Sequence, residues 1–222
     1  MKTFSALNRI LPVVLAVAAQ SGLPDAPVQT SDIAGPATNW SADCTPNYAD
    51  RMLSPIPDSA YVPTLVPIRT RRPVRVCVLD DGTYCDDSLS AIVAQSCAKW
   101  EYATKSVPEG GAVFAVTTAK NPLGADVVVQ FCNARAIDGD RGLTVEQAGW
   151  AWVRVACQRS NGNALPAAEI QRATTHEIGH AMGIWGHSPD SRDVMSLNVA
   201  PTEITVADVN TLRLAYLRRR MF

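Results

Sequence analysis

All three histidines of this 222-residue chain fall in one short run, His176-Glu-Ile-Gly-His-Ala-Met-Gly-Ile-Trp-Gly-His187. His176 and His180 are four residues apart, and four residues of helix turn about 400°, so both imidazoles leave one face about 40° apart. That spacing suits two nitrogen ligands of one zinc ion. Glu177 leaves the helix close by, placed to take a proton from a water at the ion without binding the ion itself. Gly183 tolerates a positive φ and so can end the helix and turn the chain. His187 follows that turn as the candidate third ligand, with Asp190 and Asp193 as alternatives. Three protein ligands leave a coordination position for water, the mark of a catalytic rather than a structural zinc site. A bare HExxH occurs by chance, and three histidines can also be ordinary satisfied core or surface groups.

The run resembles the metzincin zinc peptidases, in which HExxH is followed by xxG and a third histidine. Glu177-Ile-Gly-His-Ala-Met-Gly-Ile184 and Gly186-His187-Ser188 are closest to the matrixin branch, and Asp193-Val194-Met195 fits the methionine turn of that family. One departure stands out. Gly186 occupies the usual place of the third histidine, and His187 comes one residue later, with Trp185 as the extra residue. The loop must therefore bulge by one position to bring His187 to the metal. The resemblance implies a zincin-like α/β (α+β) fold with a twisted, mostly parallel five-stranded sheet and an antiparallel edge strand. A crossover helix, an active-site helix and a C-terminal helix complete it. It also implies a secreted zinc-dependent endopeptidase that holds Zn2+ on His176, His180 and His187, with Glu177 as general base. The expected partner is a protein or peptide substrate.

Two other functions stay open on sequence. One is a non-catalytic secreted binding module stabilised by zinc, against which the intact Glu177 argues. The other is a zinc amidase acting on a non-protein substrate such as a cell-wall amide. A Ser-His-Asp hydrolase is excluded, because every histidine is committed to the metal.

Composition sets the frame. The apolar fraction is 47% and the net charge −1, a globular balance with no call for a nucleic-acid partner. Lys2 and Arg9 flank a polar start, and Ile10 to Ala19 is almost wholly apolar and ends in small residues. This predicts a secretory signal peptide over 1–19, hence an extracellular or periplasmic protein with no stable membrane insertion after cleavage. The run is too short to cross a bilayer comfortably; an uncleaved anchor or a buried helix is the alternative. Residues 20–72 are rich in proline and read as a pro-segment or an extended wrap over the domain. Cys44 is the one cysteine there that could cap the zinc, but the family's motif is missing around it. The six cysteines suggest up to three disulfides in an oxidising compartment, with Cys132–Cys157 the favoured pair.

The elements that must position the site start at Pro73, so that 73–222 is read as the catalytic domain. Strands are predicted over Val74 to Val78, Val113 to Thr118, Asp126 to Phe131, Leu143 to Gln147 and Trp150 to Ala156. The unbroken valines of the third suggest burial on both faces. Asp86, Asp87 and Ser88 open a helix whose core side is Leu89, Ile92, Val93, Cys97 and Trp100. Pro166 opens the next, with Thr174, Ile178, Ala181 and Met182 inward. Pro201 and Thr205 open the last, with Val206, Val209, Leu212 and Tyr216 inward. Leu143 to Gln147 is either a substrate-aligning edge, as the family resemblance implies, or an ordinary hairpin arm. Asp138-Gly-Asp140 is a turn that could hold Ca2+.

Overall fold

Alternating valines build the centre of the protein. The computed structural model describes residues 46–49, 73–107, 111–147, 150–184, 186–197 and 203–219. Its strands are β1 (Val74–Leu79), β2 (Phe114–Ala119), β3 (Val127–Asn133), β4 (Gly142–Gln147) and β5 (Trp150–Gln158). They form one sheet in the order β2-β1-β3-β5-β4. The first four in that order run parallel, and β4 pairs antiparallel with β5 at one edge. Val76 pairs with Val127 and Val78 with Val129, while Val129 pairs with Val153 and Phe131 with Val155. Side chains alternate along a strand, so these residues share one face. They lie in the main buried cluster together with Val93, Trp100 and Ile178. Each such valine contributes about 2 kcal/mol by leaving water. On β3, Val127, Val128 and Val129 are all buried, as expected of a central parallel strand.

Three helices complete this mixed α/β architecture: α1 (Asp87–Thr104), α2 (Ala167–Met182) and α3 (Val206–Arg219). Asp86 caps α1 by accepting from the Leu89 amide at 2.8 Å. Parallel neighbours need a crossover, and α1 supplies it between β1 and β2. The fully buried Trp100 of α1 donates its indole N–H to the Thr175 carbonyl of α2 at 2.9 Å, which ties the two helices together.

The structure corrects two expectations. Val206 is 64% exposed; Leu212 is buried as expected, but its buried neighbours on α3 are Asp208, Asn210, Thr211 and Ala215. Polar residues turn inward there because they have partners. The Tyr48 phenol donates to Asp208 Oδ1 at 2.6 Å, and the Tyr48 amide donates to Thr211 Oγ1 at 3.0 Å. Residues 46–49 thus pack on α3, upstream of the boundary predicted at Pro73. The second correction concerns the favoured Cys132–Cys157 pair, which is not formed. Cys77, Cys85, Cys97, Cys132 and Cys157 are free thiols. Cys132 pairs with Ala156 and Asn133 with Gln158, so Cys157 is an extra residue in a bulge. Its Sγ donates to the Cys132 carbonyl at 3.5 Å rather than bonding the Cys132 sulfur. Burial pushes the Cys157 thiol up to about 11 and the Cys97 thiol up to about 12, which keeps both protonated and unreactive at neutral pH.

The predicted signal peptide, most of 20–72 including Cys44, and Trp185 lie outside the described residues. No described helix is long and apolar enough to cross a membrane.

Candidate metal centre

The site is built on α2, which is anchored before it presents anything. Its inward residues Thr174, Ile178, Ala181 and Met182 are buried as the sequence pattern predicts. Gly183 ends the helix in the left-handed region at φ 116°, where its amide donates to the His180 carbonyl at 2.8 Å. Gly179, between the two helical histidines, lies against Met195. A Cβ there would collide with the Met195 sulfur and come within 2.9 Å of Trp100 Cζ2. The fully buried Met195 is therefore packed as a floor against the middle of the helix, and only glycine lets it approach so closely.

The three imidazoles converge. Ring centroids are 4.7 Å apart for His176 and His180, 5.2 Å for His176 and His187, and 5.0 Å for His180 and His187. One ring nitrogen from each lies within 4.8 Å of the others. His187 thus lies beside the other two rings, with one nitrogen of each close enough to share an ion. The alternative ligands are engaged elsewhere. Asp190 accepts from Arg192, with Nη2 at 2.6 Å from Oδ2. Asp193 accepts from Ser188 Oγ and, at 2.6 Å, from Thr205 Oγ1.

Tautomers follow from the outer partners. His176 Nδ1 lies 2.8 Å from the Val194 carbonyl, and His180 Nδ1 lies 2.5 Å from the Ile184 carbonyl. A carbonyl oxygen only accepts, so each Nδ1 carries its proton. Burial holds His176 down at about 4 and His180 down at about 3, so both rings are neutral near pH 7 and each Nε2 is a lone pair. Those two lone pairs face each other at 3.0 Å. Neither can donate to the other, and the arrangement is repulsive unless a cation is shared between them. With Nδ1–H held by backbone carbonyls and Nε2 turned inward, the donor set fits a zinc ion. Burial also lowers the pKa of His187, which keeps the third nitrogen available.

Glu177 is 6% exposed. Burial, with a smaller push from Asp140, raises its carboxyl from 4.5 to about 7, against the lowering effect of the Thr144 hydroxyl. A cation among the histidines would draw that value back down. A carboxylate poised this way can accept and return a proton at neutral pH.

Two supports of the site escaped sequence reasoning. Asp208 is fully buried and accepts from the Val194 amide at 3.1 Å and the Thr205 amide at 2.9 Å. It thereby ties the turn at Val194 to the start of α3. The available signal was Thr205-Val-Ala-Asp208, a capping-box spacing at the head of a helix. Thr144 is the other: its Oγ1 is 2.6 Å from Glu177 Oε2. Asp138 and Asp140, the expected calcium turn, are exposed. Among the described residues the histidine triad is the one group of side chains close enough to hold a metal. No protein-family profile matches the sequence, and no curated protein matches it.

Proposed function

We propose that the chain is a secreted zinc-dependent endopeptidase of the matrixin-like metzincin type, with His176, His180 and His187 holding the ion. The observation that carries this reading is the pair of Nε2 lone pairs 3.0 Å apart, with a third imidazole and the buried Glu177 beside them. A structural zinc site closes with four ligands and has no use for a carboxylate whose pKa lies near neutrality. Once bound, the ion supplies Lewis acidity, which acidifies a water and polarises a substrate carbonyl.

The chain's own residues do the rest. Val194 and Ile184 fix the histidine tautomers through their carbonyls. Glu177 takes the proton of the attacking water and returns it to the leaving amine, so no covalent acyl-enzyme is needed. The exposed edge at Leu143 and Val145 leaves room for an extended peptide to pair along β4.

Metal analysis of the purified protein, run beside peptide-library and peptidoglycan digestion with and without a chelator, tests the reading. One zinc per chain and chelator-sensitive peptide cleavage are expected. Zinc-loaded protein that cleaves peptidoglycan but no peptide would refute the peptidase assignment.

A further inference from the structure

We propose that Gly142 and Thr144 of β4 form a cradle that positions the Glu177 carboxylate, so that the edge strand sets the aim of the general base. The inference rests on the peptidase reading for its kinetic part only. Gly142 and Thr144 are two apart on one strand, and their side-chain positions therefore fall on the same face. That face meets α2, whereas Leu143 and Val145 between and beyond them are exposed.

The contacts are specific. Thr144 Oγ1 is 2.6 Å from Glu177 Oε2 and 3.1 Å from the Glu177 carbonyl. A hydroxyl has one proton, and the shorter partner, the carboxylate, takes it. The bond occupies Oε2 and leaves Oε1 to do other work. Oε1 lies over Gly142, where an added Cβ would overlap it and would come within 2.5 Å of Glu177 Cγ and 2.7 Å of Cδ. Any side chain at 142 must therefore push the carboxylate out of its place. Gly142 has no left-handed backbone, so conformational freedom does not explain the glycine. Clearance for the glutamate does. The strand itself is held by antiparallel pairing with β5, Gly142 opposite Val155 and Thr144 opposite Val153. Both opposing residues are fully buried, so the cradle stands on the rigid core of the sheet. Thr144 and Gly142 are positioning residues, since each acts through Glu177.

Thr144→Val, Thr144→Ala, Thr144→Ser and Gly142→Ala in the zinc-loaded full chain test this, each alone and with Glu177→Ala. Misplacing a reacting group costs about 100-fold in rate, so Thr144→Val, Thr144→Ala and Gly142→Ala should lose about that much kcat with KM and zinc content nearly unchanged. Thr144→Ser keeps the hydroxyl and should stay within about 3-fold of wild type. Thermal unfolding supplies a readout independent of turnover. Losing one hydrogen bond to a buried carboxylate should lower Tm by about 4 °C in Thr144→Val, and by only about 1 °C when Glu177 is already alanine. Wild-type kcat in the valine, alanine and Gly142 variants, or the same Tm loss with and without Glu177, overturns the cradle. A wild-type chain that holds zinc but cleaves no peptide sinks the peptidase reading instead, and the Tm coupling then decides the cradle alone.

Discussion

Glu177→Gln should exchange activity for stability, with a pH signature that identifies the cause. Burial raises the Glu177 carboxyl from 4.5 to about 7 in the folded, metal-free chain. Between those values the folded state holds a proton that the unfolded state has released. Stability therefore falls as pH rises through the window, and the cost is complete above about pH 7. A shift of that size corresponds to about 3 kcal/mol at pH 8. Glutamine is neutral at every pH, fills nearly the same volume and can still accept from Thr144. The variant should avoid the cost, and for a domain of this size its Tm should rise by about 9 °C at pH 8. At pH 4 both folded and unfolded wild-type chains are protonated at Glu177, so the difference should vanish. The assay is thermal unfolding of chelator-treated wild type and variant at pH 4, 6 and 8, with zinc-loaded peptidase rates alongside. Activity should fall by about 100-fold or more, because the amide cannot accept the proton. Equal Tm values at pH 8, or the same difference at pH 4 and pH 8, would show that the carboxylate is not held in a desolvated site.

Other perturbations follow from the same geometry. His187→Ala should strip zinc on dialysis, whereas Asp190→Ala, whose carboxylate is taken by Arg192, should retain one ion per chain. Burial holds the folded-state values of His176 and His180 at about 4 and 3, below their ordinary 6.5, so the unfolded chain binds more protons in between. The metal-free protein should lose stability as pH falls below about 6.5, and the loaded protein should release zinc in acid, read by a zinc-sensitive dye. Tyr48→Phe removes the donor to Asp208 and should cost about 2 kcal/mol in urea unfolding, since it weakens a bond to a buried carboxylate. Gly179→Ala should be worse than its helix propensity suggests, because the added methyl meets Met195 and Trp100; lower Tm with lower zinc content is the expected result.

The sequence by itself carried the local instructions. The i, i+4 spacing of His176 and His180, the helix-ending Gly183, the alternating valines and the acidic cap at Asp86 each act within a few residues, and short-range geometry is what a linear pattern encodes. Tertiary structure decided what depends on residues far apart in the chain. His187 meets His176 and His180 only in the folded chain, where the Val194 and Ile184 carbonyls fix the neighbouring rings. Thr144 meets Glu177 across 33 residues, and Tyr48 meets Asp208 across 160, so no periodicity could announce either pair. The exposed Val206 and the buried Asp208 make the same point in reverse. Hydrophobicity alone would turn the valine inward, but the Val194 and Met195 amides need an acceptor, and Asp208 of α3 supplies one. Cys132 and Cys157 come to adjacent strands, as their places near the ends of two predicted strands suggested, yet a one-residue bulge sets the direction of the Cys157 sulfur, and register belongs to the folded sheet.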